Sequence, residues 1–138
     1  MVRRTLRALI VDDDAEVRSA VCALLASSGF QVHAVDNGAH ALAALDAGLW
    51  PHVALIDLRM PVLDGWSTIA RIHRRGHTER TRIIVLTSAG DRSIAPLAAA
   101  IDGYLPKPLR PDHLMNTIRD VLSAGREHVP PDRRDLSM

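Results

Sequence analysis

The chain has 138 residues, a length that suits one domain. Hydrophobic residues make up 47% of it and aromatic residues only 3%, so we expect a core of Ala, Val, Leu and Ile. The formal net charge of +1 argues against nucleic acid as a direct partner, because phosphate binding needs a concentrated basic face. The arginines between Arg71 and Arg82 are therefore interpreted as a solvated helix end and loop.

Cys22 is the only cysteine, so no disulfide can form within the chain, which fits a reducing cytoplasm. The apolar run that follows the basic N-terminus stops at Asp12. Such a run is too short for a signal peptide or a membrane span. We therefore predict a cytoplasmic protein that makes no membrane contact.

Five short apolar runs alternate with helical patterns along the chain. The predicted strands, in chain order, are residues 6–11, 31–35 and 53–56, then 83–86 and a brief fifth at 104–105. Apolar residues recur at helical spacing between and after them, at Val17, Val21, Leu24 and Leu25, at Leu42 and Leu45, at Ile69 and Ile72, and at Leu114, Ile118, Val121 and Leu122. Between the fourth and fifth strands we expect a short helix that Pro96 weakens.

This alternation predicts a parallel sheet that right-handed crossover helices cover on both faces. One domain is expected over residues 1–124. From Gly125 onward the pattern dissolves into charges and Pro130-Pro131, so residues 125–138 are predicted to be a disordered tail.

Polar side chains stand where the predicted strands end. Asp12 and Asp13 follow the first strand, Asp57 ends the third, Thr87 ends the fourth, and Lys107 follows the fifth. Ligands of open parallel sheets bind outside the carboxyl ends of the strands, so we expect these groups to converge.

Three converging carboxylates repel each other unless a cation lies between them. Carboxylate oxygens select a hard ion such as Mg²⁺, which typically keeps coordination positions open. Lys107 adds a positive charge and the Thr87 hydroxyl adds a donor. Such a site could stabilise a phosphoryl group in transfer, with one carboxylate as the nucleophile.

Each residue also has a purely structural interpretation. Asp12 and Asp13 could cap the first helix, although Asp14 alone could do so. Asp57 could merely end a strand, but a carboxylate beside an apolar run needs partners. Lys107 between two prolines could belong to a rigid surface turn. The functional interpretation rests on the coincidence of all of them at consecutive strand ends.

These residues resemble the receiver domains of bacterial response regulators, in particular single-domain receivers like the chemotaxis regulator. The resemblance is carried by IVDDD at 10–14, LIDLRMP at 55–61 with DG at 64–65, VLTS at 85–88 and YLPKP at 104–108. It is collinear and spans residues 6–124. It implies a flavodoxin-like, doubly wound five-stranded parallel sheet of order 2-1-3-4-5 with helices on both faces.

The resemblance implies that Asp57 is the phosphoacceptor. Asp13 and Asp57 would bind Mg²⁺ directly, together with the backbone carbonyl of Arg59, while Asp12 would act through a water molecule. The phosphoryl donor would be a sensor histidine kinase or a histidine phosphotransfer protein, and a downstream effector protein would read the result. The chain would catalyse only its own phosphorylation and dephosphorylation.

The resemblance also implies a set of phosphoryl-stabilising and switch residues. Lys107 would pair with the phosphoryl oxygens and, in the resting state, with Asp57. Thr87, with Ser88 beside it, would stabilise the phosphoryl group, and Tyr104 would rotate into the space that Thr87 vacates. The Lys107-Pro108 bond would be cis, which only an X-Pro bond adopts readily.

Two departures from the family pattern are visible. The stretch between Thr87 and Tyr104 is about two residues shorter than is usual, and Pro96 interrupts it, so a short or irregular helix is expected there. Arg59 and Ala89, each two positions beyond a site residue, flank the path of the hydrolytic water in the family. We hypothesise that Arg59 shields the phosphoryl group while Ala89 offers water no polar help.

Three other classes compete with this interpretation. A metal-dependent phosphohydrolase of the haloacid dehalogenase type would need a second aspartate two residues after Asp57, where Arg59 stands. A flavin- or nucleotide-binding module would need a Gly/Ser/Thr-rich cradle after the first strand, where three aspartates stand instead. A receiver-like module that binds its partner without phosphorylation is the third.

Overall fold

The computed structural model describes residues 5–124, and five strands of this part form one parallel sheet. The strands are β1 (Arg7–Val11), β2 (Gln31–Val35), β3 (Val53–Asp57), β4 (Arg82–Thr87) and β5 (Gly103–Pro106). Their order is β2-β1-β3-β4-β5, and all neighbours pair in parallel, which confirms the expected topology. Each strand lies within one residue of its predicted bounds. The predicted tail at 125–138 lies outside the described residues.

Within the described residues, four α-helices and two short 3-10 helices lie between the strands or after the last of them. The α-helices are α1 (Ala15–Ser27), α2 (Gly38–Asp46), α3 (Gly65–Arg74) and α4 (Pro111–Ser123), and the 3-10 helices are His77–Glu79 and Ala95–Ala100. The irregular segment expected between β4 and β5 is thus confirmed as a 3-10 helix, with Pro96 near its start. Within residues 5–124, no helix has the length and apolar character needed to span a membrane.

The sheet separates two hydrophobic clusters because successive side chains of a strand point to opposite faces. Helices α1 and α4 pack on one face through Val21, Leu25, Leu114, Ile118 and Val121. Helices α2 and α3 pack on the other through Ala41, Leu42, Leu45, Ile69 and Ile72. The central strand β3 is buried along its whole length, as its continuous apolar run predicted.

Helix caps determine which carboxylates remain available at the carboxyl edge of the sheet. Asp14 is the N-cap of α1 and accepts the backbone N–H of Glu16 at 2.9 Å. Asp64 caps α3 in the same way through the N–H of Ser67 at 2.7 Å. Since Asp14 fills the capping position, the structural interpretation of Asp12 and Asp13 as caps is wrong.

Candidate functional site

Three aspartates meet at the carboxyl edge of the sheet. Strands β1 and β3 are neighbours, and Val11 lies opposite Ile56, so the residues that follow them lie side by side. Carboxylate oxygens of Asp12, Asp13 and Asp57 lie within 4.8 Å of one another. Asp12 is fully buried and Asp57 is 4% exposed, whereas Asp13 is open to solvent. The predicted convergence of these three residues is therefore observed.

Lys107 places a positive charge between the two buried carboxylates. Its Nζ lies 2.7 Å from Asp12 Oδ2 and 3.4 Å from Asp57 Oδ1. Its backbone N–H donates to the Thr87 carbonyl at 2.7 Å, and the Lys107-Pro108 bond is cis, as expected. The turn after β5 thus aims the ammonium group back across the edge of the sheet.

The charges of this cluster perturb one another. Burial raises the pKa of Asp57, and the Asp12 carboxylate raises it further, while Lys107 and the Arg59 backbone N–H act in the opposite direction. Burial lowers the pKa of Lys107, but its contacts with Asp12 and Asp57 outweigh that effect and raise it. The lysine is therefore charged at neutral pH.

A divalent cation fits this donor set. Asp12 Oδ2 is buried, and its contact with Lys107 is a close ion pair without the angles of a hydrogen bond, so it keeps acceptor capacity. Clustered carboxylate oxygens, one of them solvent-accessible, are the ligands that Mg²⁺ and Ca²⁺ prefer. The Arg59 backbone N–H acts on Asp57, which places the loop after β3 beside the carboxylate. Ligation by the Arg59 carbonyl stays a prediction.

The expected switch residues lie at the adjoining end of β4 and along β5. The Thr87 hydroxyl donates to the Leu105 carbonyl at 3.4 Å, a long contact directed toward β5. The Tyr104 side chain points outward, and the residue is 65% exposed. The backbone N–H of Ser88 donates to Asp91 Oδ2 at 2.7 Å. The hydroxyl and the ring thus occupy positions from which both could move.

Two residues contribute to the site in ways the sequence analysis did not identify. A Cβ built on Gly65 would lie 2.3 Å from the Asp57 backbone oxygen, so only glycine allows α3 to start this close to the carboxyl end of β3. Gly65 belongs to the DG pair at 64–65, and the pair by itself does not reveal this close approach. Asp91 pairs with Arg59, and no spacing rule indicated that contact because 32 residues separate the two.

An apolar groove of about 940 Å³ opens beside the acidic cluster, between α1 and the turn that leads into α4. Its lining is mostly apolar and includes Val17, Ala20, Leu24, Leu109 and Leu114. Lys107 belongs to the same lining. The groove and the carboxylate site therefore share one edge.

Comparison with known proteins gives consistent matches. The family model described as "response regulator receiver domain" matches residues 8–119. The transcriptional regulatory protein TcrA of Mycobacterium tuberculosis is 34% identical over 129 residues, which cover 91% of this chain and 49% of TcrA. The chain thus spans about half the length of this curated relative.

Solved structures agree with this match. A CheY-like response regulator receiver domain protein of Methanospirillum hungatei is 31% identical with a TM-score of 0.72, covering 84% of this chain and 90% of that one. The chemotaxis response regulator CheY4 of Vibrio cholerae is 27% identical with a TM-score of 0.76, covering 86% of this chain and 99% of that one.

Proposed function

Because this chain belongs to the response regulator receiver domain family, we propose that it accepts a phosphoryl group from a phosphohistidine onto Asp57 and so switches a protein-interaction face. Receiver domains are switch domains rather than classic enzymes, and the proposed catalysis is limited to the chain's own phosphorylation and dephosphorylation. The observation that carries the proposal is the 4%-exposed Asp57 carboxylate, held beside Asp12 and Asp13 and opposite Lys107.

Receiver domains bind Mg²⁺ at an acidic pocket, and Asp12, Asp13 and Asp57 are the residues that would hold it here, with the Arg59 carbonyl as a further proposed ligand. When bound, the ion would neutralise the carboxylates and the incoming phosphoryl oxygens. Asp57 Oδ is the nucleophile in this proposal. Lys107 would stabilise the charge on the phosphoryl oxygens, and Thr87 with Ser88 would supply hydrogen-bond donors.

Receiver domains interact with histidine kinases or phosphotransfer proteins and with effectors. For this chain we propose that the donor's helix bearing the phosphohistidine rests on the apolar groove. Support comes from its lining, which runs from Val17 and Leu24 of α1 to Lys107 at the edge of the site. A donor seated there would bring its phosphoryl group to the side of the sheet where Asp57 lies.

The receiver is proposed to act as a stand-alone response regulator, similar in fold to the chemotaxis response regulator CheY4 of Vibrio cholerae. This stays a prediction, because TcrA extends well beyond its matched half. A cytoplasmic location stays a prediction as well.

Incubation with acetyl phosphate and Mg²⁺, followed by intact-mass analysis, tests the proposed function. We expect the wild-type chain to gain one phosphoryl group and Asp57→Asn to gain none. Asp120 is an exposed aspartate on α4, and Asp120→Asn should behave like the wild type. EDTA should abolish the gain. A wild-type chain that stays unmodified while still binding a partner would favour the phosphorylation-independent module instead.

A further inference from the structure

An ion pair between Arg59 and Asp91 lies beside the acidic cluster. Arg59 Nε is 2.5 Å from Asp91 Oδ1. Arg59 follows Asp57 by two residues, and Asp91 follows Thr87 by four. The pair therefore joins the loop that follows the phosphoacceptor strand to the loop that follows β4.

Asp91 is the anchored member of the pair. Its side chain is 7% exposed, whereas that of Arg59 is 57% exposed. Asp91 Oδ2 accepts the Ser88 N–H at 2.7 Å, and the Asp91 N–H donates to the Ser88 carbonyl at 3.1 Å. A nearly buried carboxylate needs such partners to offset its desolvation. The turn that contains Asp91 thus holds its carboxylate in place, and the longer Arg59 side chain extends to reach it.

The Arg59 guanidinium lies against this turn. Gly90 has a φ of +87°, and a Cβ built on it would lie 3.4 Å from Arg59 Nη2. Among residues 5–124, the cation paired with Asp57 is Lys107, and the carboxylate paired with Arg59 is Asp91. A positive charge two residues from the phosphoacceptor is therefore neutralised by a different carboxylate.

We propose that Asp91 is a positioning residue that holds Arg59 away from Asp57 and thereby shortens the lifetime of the aspartyl phosphate. The inference rests on the proposed function. A phosphoryl group on Asp57 brings up to about two negative charges and competes with Asp91 for the guanidinium. An arginine that moves onto the phosphoryl oxygens covers the approach of water.

The reaction whose rate Asp91 sets is hydrolysis of the acyl phosphate. The oxygen of a water molecule forms a bond to phosphorus, and the bond between phosphorus and the Asp57 carboxylate oxygen breaks. The carboxylate is regenerated, and inorganic phosphate leaves with the oxygen of the water, whose protons stay on the phosphate or pass to solvent. Arg59 forms no covalent bond at any stage, so its contribution depends only on where its side chain lies.

A double-mutant cycle tests the inference. The wild type, Asp91→Asn, Arg59→Ala and the double variant are phosphorylated with acetyl phosphate and Mg²⁺, the donor is removed, and phosphoryl loss is timed by intact mass. We expect Asp91→Asn to slow the loss about two- to fivefold, the change that roughly 0.5–1 kcal/mol of ion pairing produces. Arg59→Ala should speed the loss, and the double variant should match Arg59→Ala alone.

The cycle separates positioning from a loosened turn. The carboxamide oxygen of Asp91→Asn can still accept the Ser88 N–H, and Asp91→Ser is a second variant that keeps an acceptor there. Asp102→Asn is the matched control, because Asp102 accepts the Ile83 N–H at 2.8 Å at the opposite end of β4. The aspartyl phosphate of this variant should have the same lifetime as that of the wild type.

Three results overturn the inference. These are an equal effect of Asp91→Asn in both Arg59 backgrounds, an unchanged or faster loss in Asp91→Asn, and an unchanged lifetime in Arg59→Ala. Each of them leaves the proposed function intact, since the wild type is still phosphorylated. A wild-type chain that gains no phosphoryl mass overturns the proposed function and this inference with it.

Discussion

Lys107 Nζ lies closer to Asp12 Oδ2, at 2.7 Å, than to Asp57 Oδ1, at 3.4 Å. The lysine therefore compensates first for Asp12, the fully buried carboxylate, and less for Asp57, which keeps access to the rim. The single positive charge of Lys107 is thus shared unequally, and Asp57, the proposed nucleophile, has the longer of the two contacts. Its consequences can be measured on the metal-free protein.

Replacing Lys107 by methionine should lower the free energy of unfolding by about 2–3 kcal/mol, because Asp12 is left as a buried charge without its partner. The loss is smaller than for a wholly buried pair, since the lysine side chain is 21% exposed. Urea denaturation in EDTA measures it. Adding Asp12→Asn to Lys107→Met should recover most of the loss. A single variant within about 0.5 kcal/mol of the wild type would contradict the role of this pair.

Asp57→Asn should raise the free energy of unfolding of the metal-free chain at pH 7, because the substitution removes a carboxylate whose ionised form is disfavoured in the folded state. Burial and the Asp12 carboxylate raise the pKa of Asp57, so the folded state binds this proton more tightly than the unfolded state does. Stability is therefore lost as the pH rises from the ordinary aspartate value, about 3.9, through the raised value. The gap between variant and wild type should accordingly shrink as the pH falls. Denaturation curves at a series of pH values measure this difference in the free energy of unfolding. A difference that grows as the pH falls would contradict a raised pKa of Asp57.

Mg²⁺ should stabilise the wild-type chain by an amount that grows with its concentration, reaching about 2.7 kcal/mol at one hundred times the dissociation constant. Asp13→Asn should weaken this response with little change in metal-free stability, because Asp13 is exposed and the substitution removes a ligand without disturbing the core. Thermal melting across a Mg²⁺ titration is the measurement. Asp120→Asn, which replaces an exposed aspartate of α4 that is not part of the cluster, serves as the matched control. Equal titration curves for all three proteins would exclude Asp13 as a ligand.

Gly65→Ala should misplace Asp57, because the added methyl group would lie 2.3 Å from its backbone oxygen and 2.6 Å from Leu58 Cα. We expect a loss of about 1–3 kcal/mol in stability together with slower phosphorylation by acetyl phosphate. Gly29→Ala provides the comparison. Gly29 has a φ of +93° and open space around it, so its replacement should cost stability without slowing phosphorylation. Equal phosphorylation rates in both variants would show that the close approach has no role at the site.

Much of the fold could be predicted because short stretches of the sequence indicate each strand and helix. The alternation of apolar runs and helical patterns predicted five parallel strands, and the polar residues at the strand ends predicted where Asp12, Asp13 and Asp57 would meet. The backbone determines where the residue at the end of a strand lies. Carboxylates at the ends of adjacent strands are therefore brought together by the backbone alone.

Contacts between long side chains on different loops were not predictable in the same way. The closer pairing of Lys107 with Asp12 depends on how the cis Lys107-Pro108 turn aims a flexible side chain. The pairing of Arg59 with Asp91 depends on two loops that only the folded sheet brings together. Local periodicity carries no information about such partners.

Tyr104 offers a direct test of the switch, because it is the only tyrosine in the chain and is 65% exposed in this structure. If Thr87 leaves the Leu105 carbonyl for a phosphoryl group, the ring can turn into the vacated space, and nitration by tetranitromethane should slow severalfold in phosphorylated protein. Mg²⁺ alone should have no effect. In Thr87→Ala the hydroxyl is absent, so phosphorylation can no longer pull residue 87 inward, and nitration should not depend on phosphorylation. A ring that stays equally reactive in phosphorylated wild-type protein would rule out Tyr104 as the reporter of the phosphorylated state.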